Sequence, residues 1–123
     1  MSDFRKLRVW VAARELAIDA NRITARMRGA RGATLRDQLI RAAMSVPTNI
    51  IEGNAHESPR ERARYFRYAL ASVSEVEGHA QLALDFRIIT QADYHTLLEH
   101  IVAVRKMLHG LLKRVKDSEN EPS

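Results

Sequence analysis

The sequence predicts an all-α fold, an antiparallel up-down-up-down four-helix bundle with a proline-kinked second helix. Apolar residues recur at alternating steps of four and three along four segments, as on one face of a helix. The alternation typical of a half-buried strand is absent, and only 6% of the residues are aromatic. Short connections favour antiparallel neighbours. The 123 residues suit one domain, so we expect 1–116 to form the bundle and 117–123 an acidic, disordered tail.

The first predicted helix begins near Asp3, a suitable N-cap, and ends before Gly29. Residues 28–34 contain two glycines, which indicate a loop. One stripe of the helix is apolar, and it comprises Val9, Ala13, Leu16, Ala20, Ile23 and Met27.

The second predicted helix begins at Thr34, which forms a capping box with Asp37. Pro47 lies inside its apolar pattern. Because proline has no backbone N–H, it frees the carbonyl of Ala43, and we expect a kink or break there. Gly53 and the residue after it end the helix.

The third and fourth predicted helices have clear start signals. Ser58 is the expected N-cap of the third, with Glu61 completing a capping box. Thr90 is followed three residues later by Asp93, and the two start the fourth helix in the same way. The fourth helix carries the most regular apolar stripe in the sequence, which comprises Leu97, Ile101, Val104, Leu108, Leu111 and Val115.

Catalytic signatures are missing. The sequence has no Cys, which excludes thiolate zinc sites, iron–sulfur clusters and a Cys nucleophile. The five His residues form no His-Glu-x-x-His motif, and no Walker loop or Gly-x-Ser-x-Gly elbow occurs. Glu75 and Glu77 face different directions on a helix. We predict a protein that is not an enzyme and uses no cofactor or metal.

A polar stripe runs along the second helix beside its apolar face. Ser45, Asn49 and Glu52 share this face because they follow steps of four and three. We predict a structural network that fixes the helix register, comprising Arg41, Ser45, Asn49, Glu52, Ser72 and Glu75. A binding pocket is the alternative. A catalytic role would need a ligand that organises these side chains.

The charge is positive and uneven. The net charge is +5 and the pI about 10.1, with +6 in residues 1–41, +2 in 42–116 and −3 in 117–123. Sixteen of the 20 basic residues are Arg, whose planar fork suits phosphate, although an Arg-rich genome gives the same composition. The basicity favours an acidic partner such as RNA or DNA.

The basic residues cluster near predicted helix ends. Cations at a helix C-terminus also complement the helix dipole, but Arg60 and Arg64 lie at an N-terminus, where that explanation fails. Arg67 continues their stripe. With few aromatic residues nearby, any contact should be mainly to phosphate and strongly salt-dependent. The candidate nucleic-acid contacts are Arg22, Arg26, Arg28, Arg31, Arg36, Arg60, Arg64, Lys113 and Arg114.

The chain resembles the 23S rRNA intervening sequence proteins, a bacterial family of four-helix bundles. Residues 39–53, LIRAAMSVPTNIIEG, are similar to the central Arg-Ala-Ala-x-Ser-(Ile/Val)-Pro-x-Asn-Ile-x-Glu-Gly signature of that family. Residues 7–10, LRVW, are similar to its Leu-x-Val-Trp motif. Phe66 and residues 69–75 resemble its Phe-x-x-x-Ala-x-Gly-Ser-x-x-Glu block, with Ala71 in place of the usual Gly.

The resemblance implies a homopentamer and leaves the biochemical role open. Relatives include basic accessory bundles of diversity-generating retroelements, which bind a reverse transcriptase and nucleic acid. We therefore expect a non-enzymatic, oligomeric binding protein that contacts RNA or DNA. The alternative is an assembly adaptor that binds a protein partner without nucleic acid. Trp10 and Val11 offer apolar surface for subunit contact.

No signal peptide or membrane span is evident in the sequence. The N-terminal residues are charged before any apolar run of signal-peptide length, and no segment approaches the ~20 apolar residues of a membrane helix. We expect a cytoplasmic protein with no membrane partner.

Overall fold

The all-α prediction is confirmed. A computed structural model describes residues 3–119, and this part of the chain contains helices and no strand. A short 3-10 helix, Phe4–Lys6, is followed by four α-helices, which are α1 Arg8–Thr24, α2 Gly29–Ala55, α3 Pro59–Asp85 and α4 Gln91–Glu119. No helix within residues 3–119 is long and apolar enough to cross a membrane.

Each helix packs against two others, in the order α1, α2, α3, α4 and back to α1. Two contacts show that α1 and α4 run in opposite directions. Arg26, just after the end of α1, bonds to Asp93 near the beginning of α4, and Asp19, earlier in α1, bonds to His100, later in α4. The α1–α2 and α3–α4 turns thus lie together, and we call this the paired-turn end of the bundle.

Helices α2 and α3 are also antiparallel. Ser45 meets Ser72 midway along both helices, and Gly53 meets Phe66 closer to the turn that joins them. This α2–α3 turn lies with the beginning of α1 and the end of α4. We call it the single-turn end of the bundle.

The predicted apolar stripes form the core. All six stripe residues of the first helix and all six of the fourth are buried. Helices α2 and α3 contribute the remaining large apolar side chains that are fully buried, which are Leu39, Val46, Ile50, Phe66, Val73 and Val76. Since burial of one such side chain contributes about 1.5–3 kcal/mol, these stripes hold the four helices together.

The α1–α2 turn is shorter than predicted. Helix α2 begins at Gly29, so the expected loop over 28–34 is wrong. Gly29 has a φ of 77°, a left-handed conformation that lets the chain reverse within residues 25–28. Thr34 is not a cap, because it lies inside the helix and its hydroxyl donates to the carbonyl of Ala30 at 3.2 Å. The glycines serve a tight turn: a Cβ on Gly32 would lie 3.3 Å from the backbone of Met27.

The predicted N-cap residues Asp3, Ser58 and Thr90 all form their hydrogen bonds, although Asp3 caps the 3-10 helix rather than α1. Asp3 accepts the N–H of Arg5 at 3.0 Å and caps the 3-10 helix, whereas α1 begins at Arg8. Ser58 Oγ accepts the N–H of Glu61 at 3.4 Å. Thr90 Oγ1 likewise accepts the N–H of Asp93, at 3.0 Å.

Helix α2 continues through Pro47 without a break, and the kink stays a prediction. On either side of the proline, side chains donate to carbonyls four residues earlier. Thr48 Oγ1 donates to the carbonyl of Met44 at 2.9 Å, and Asn49 Nδ2 to that of Ser45 at 2.9 Å. None of the described side chains donates to the carbonyl that Pro47 frees.

Helix α4 extends to Glu119. Residues 117–119, assigned from the sequence to a disordered tail, are therefore helical. The remainder of that segment, 120–123, lies outside the described residues.

Candidate nucleic-acid interface

The nine predicted contacts fall at opposite ends of the bundle. The paired-turn end carries Arg22, Arg26, Arg28, Arg31 and Arg36, and the single-turn end carries Arg60, Arg64, Lys113 and Arg114. Helix α2 joins the two ends of the bundle, and its 27 residues make it roughly 40 Å long. The structure therefore does not bring the predicted residues into one surface.

Two arginines at the paired-turn end are held by carboxylates. Arg26 Nη2 lies 3.0 Å from Asp93 Oδ1 and joins α1 to α4. Arg22 pairs with Asp19 on its own helix. These side chains are already used in ion pairs, which reduces the charge that they offer to a polyanion.

The other arginines at this end are less strongly held. The Arg31 guanidinium lies 4.9 Å from the ring centroid of Phe86, within cation–π range. Arg36 Nε is 3.7 Å from Asp37 Oδ1. Arg28, the N-cap residue of α2, is exposed and has no ion-pair partner within residues 3–119.

A denser group lies at the single-turn end, on the face shared by α3 and α4. We call it the α3–α4 basic patch, and it comprises Arg60, Arg64, Arg67, Lys113 and Lys116. The patch surrounds two open hollows of about 450 and 470 Å³. Arg67 lines both hollows and so connects them.

Most cations of this patch are unpaired. Of its five residues, only Arg64 forms an ion pair with another residue in the described chain, through Nη1 to Glu61 Oε2 at 3.1 Å. Glu119 lines the second hollow and pairs with none of the patch lysines. The remaining positive charge faces solvent.

Aromatic rings border the patch. The Nε of Arg64 donates to Tyr68 Oη at 2.9 Å, and this hydrogen bond raises the pKa of the guanidinium above its ordinary value. Like any arginine, it stays positively charged across the physiological pH range. The ring of Tyr65 stacks on His56 at a centroid distance of 5.0 Å and meets Tyr68 edge-on.

The predicted set omits Arg67 and Lys116. Arg67 follows Arg64 by three residues, so the helical spacing was a sufficient signal for including it. Lys116 and Arg67 line the same hollow because α3 packs against α4, and the sequence alone does not show this packing.

The polar network contains half of the predicted residues. Ser45 Oγ lies 2.8 Å from Ser72 Oγ and accepts from Asn49 Nδ2 at 3.0 Å. Arg41, Glu52 and Glu75 are exposed and make no hydrogen bond to this trio. The structure thus joins three of the six predicted members by hydrogen bonds, and the structural role of the other three stays a prediction.

An apolar groove separates α1 from α2. It has a volume of about 530 Å³ and includes Trp10, Ile18, Met44, Pro47 and Ile51. Met44 is 58% exposed, and Ile18 in the same groove is exposed as well. Val11, the other residue expected at a subunit contact, lies instead in a hollow beside Met107 of α4.

No group of His, Asp and Glu side chains within the described residues could hold a metal ion. The fold defines a small four-helix bundle with a net positive charge. The model of the family described as "23S rRNA-intervening sequence protein" matches residues 5–110. The chain belongs to this family, as the sequence motifs indicated.

A solved structure shares the fold. The chain is similar to a crystal structure of a protein of unknown function from the S23 ribosomal protein family of Bacteroides thetaiotaomicron, with a TM-score of 0.77 and 19% sequence identity. The similarity covers 85% of this chain and 98% of that one. No curated protein matches the sequence. Neither the family nor the solved relative indicates an enzyme class.

Proposed function

We propose that this chain is a non-enzymatic, oligomeric binding protein that contacts RNA or DNA through the α3–α4 basic patch. One observation carries the proposal. Four cations, Arg60, Arg67, Lys113 and Lys116, surround two connected hollows without an ion-pair partner in residues 3–119. An unpaired cation can bind phosphate without first losing an ion pair. The single-turn end is therefore favoured over the paired-turn end as the nucleic-acid contact.

The expected contacts are to the phosphate backbone. Arg60 and Arg67 carry guanidinium groups that match two phosphate oxygens at once. The patch contains Arg and Lys side chains but no Asn or Gln that would bind the edge of an adenine. Binding should therefore depend weakly on sequence and strongly on salt.

Oligomerisation would multiply these contacts. The family resemblance implies a pentamer, and the apolar groove between α1 and α2 offers a surface for subunit contact. Five copies would present five basic patches, so that weak phosphate contacts combine into useful avidity. We place the assembly in the cytoplasm, with which a cysteine-free sequence is compatible.

A filter-binding series with labelled single-stranded RNA and duplex DNA tests this function. The proposal predicts binding near physiological salt that falls steeply as salt rises, by about tenfold or more for a fourfold increase. Absence of binding near physiological salt, or binding that salt does not change, would contradict it.

The apolar groove supports a second candidate, an adaptor that binds a protein. Ile18 and Met44 are 48% and 58% exposed in this groove, and an exposed apolar patch can mark a site of protein interaction. A pull-down with the full chain after nuclease treatment separates the two functions. Recovery of a specific protein that the Met44→Glu variant loses would favour the adaptor.

A further inference from the structure

A small polar cleft opens between α2 and α3 at mid-height of the bundle, away from both basic ends. Its volume is about 280 Å³. Six of its seven lining residues carry a polar group, and the lining comprises Gln38, Arg41, Ala42, Ser45, Ser72, Glu75 and His79. Part of the predicted polar network thus forms the wall of a cleft.

A directed chain of hydrogen bonds ends in this cleft. Asn49 Nδ2 donates to the carbonyl oxygen of Ser45 at 2.9 Å, and because that oxygen only accepts, the amide orientation is fixed. The same Nδ2 donates to Ser45 Oγ at 3.0 Å. Ser45 Oγ lies 2.8 Å from Ser72 Oγ, so one of the two hydroxyl hydrogens joins the serines.

The second hydroxyl hydrogen has no acceptor within residues 3–119. Helical serine and threonine hydroxyls commonly donate to the carbonyl one turn earlier, as those of Thr48 and Thr96 do. Neither Ser45 nor Ser72 makes this bond. Ser72 is 7% exposed, so its hydroxyl has little access to water other than through the cleft. The cleft therefore offers a hydroxyl donor to a bound acceptor.

Two opposite charges line the same cleft without pairing. Arg41 lies one turn before Ser45, and Glu75 lies three residues after Ser72 on the antiparallel helix, so both stand at a similar height. No ion pair joins them, and neither pairs with another residue of the described chain. A ligand with one anionic and one cationic group would satisfy both charges at once.

We propose that this cleft binds a small zwitterion of the α-amino acid type. The ligand carboxylate accepts from the Arg41 guanidinium and the free serine hydroxyl, and its ammonium group donates to the Glu75 carboxylate. The cleft volume of about 280 Å³ is large enough for a small amino acid. This site is separate from the α3–α4 basic patch and does not depend on nucleic-acid binding.

Equilibrium dialysis of the full chain against each of the proteinogenic L-α-amino acids, radiolabelled, tests the proposal. At least one should be retained saturably with a Kd of about 1 mM or tighter. Labelled acetate and methylamine, which carry only one charge each, should be retained far more weakly. Failure to retain any amino acid, or equal retention of acetate, would overturn the proposal.

Single substitutions then assign the contacts. Arg41→Gln and Glu75→Gln should each weaken retention about tenfold or more, and Ser72→Ala by a smaller factor. Because Arg41 and Glu75 are exposed, these variants should fold, which circular dichroism checks. Lys106→Gln and Glu99→Gln on α4 make the same charge changes outside the cleft and should leave retention unchanged. Equal effects of the cleft and control substitutions would contradict the site.

Discussion

Gly53 of α2 lies so close to the ring of Phe66 of α3 that a Cβ on Gly53 would stand 2.4 Å from Phe66 Cε1. Phe66 is fully buried, so its ring cannot move aside. The close approach of α2 and α3 therefore requires glycine at this position. It also explains physically why a glycine, poor in helix propensity, lies inside the last turn of α2.

The Gly53→Ala variant should be less stable by about 1–3 kcal/mol, because overpacking a rigid core costs more than the helix-propensity gain. Gly78 of α3 is the matched control, since it is exposed and a Cβ there has no neighbour within 4 Å. Gly78→Ala should gain up to about 1 kcal/mol. Urea unfolding at one protein concentration measures both. A more stable Gly53→Ala variant would contradict the close approach of α2 and α3 at this position.

The Asn49 amide should contribute to stability through its two donated bonds. Asn49→Ala removes the donors to the Ser45 carbonyl and hydroxyl, and we expect a loss of about 0.5–1.5 kcal/mol in the free energy of unfolding. Ser74→Ala on the exposed face of α3 serves as the control. Its effect should be within about 0.5 kcal/mol of zero. If the two variants unfolded at the same urea concentration, the serine–asparagine trio would have no structural role.

Asp19 links α1 to α4. Its Oδ2 lies 2.5 Å from His100 Nε2, Arg22 contacts its other oxygen, and only 15% of its side chain is exposed. Asp19→Asn should therefore lower stability by about 1–2 kcal/mol. The Asp37 side chain is 71% exposed, and Asp37→Asn should change stability by less than about 0.5 kcal/mol. Thermal unfolding of both variants checks this, and an equal shift would contradict the link.

The apolar groove should control assembly. Light scattering of the wild type should give about five times the chain mass of 14.0 kDa. Met44→Glu places a charge at the most exposed apolar position of the groove and should lower that mass. Val102→Glu changes a similarly exposed residue of α4 outside the groove, and it should leave the mass unchanged. A wild-type monomer would refute the oligomer, and dissociation by Val102→Glu alone would move the interface to α4.

The sequence predicted the helices well because burial repeats with the helical period. The stripe from Leu97 to Val115 needed no tertiary information, since every fourth or third residue meets the core. The α1–α2 turn was harder. Gly29 and Gly32 are equally typical of a loop and of a tight turn, and only the packing of Gly32 against Met27 decides between them.

The candidate site was less accessible to sequence reasoning. Arg26 and Asp93 are 67 positions apart, so no local pattern shows that this arginine is already paired. Likewise, the connection of Arg67 to Lys116 depends on the antiparallel packing of α3 and α4. Charge clusters are visible in a sequence, but the partners that neutralise them are set by the fold.

Charge neutralisation at the two ends of the bundle tests the central claim most directly. One variant carries four Gln substitutions in the α3–α4 basic patch, at Arg60, Arg67, Lys113 and Lys116. A second variant carries four Gln substitutions at the paired-turn end, at Arg22, Arg28, Arg31 and Arg36. Filter binding compares the two. The patch variant should bind RNA or DNA at least about tenfold more weakly and lose part of the salt dependence, while the paired-turn variant retains most of the binding. Equal losses, or a loss confined to the paired-turn variant, would contradict the account.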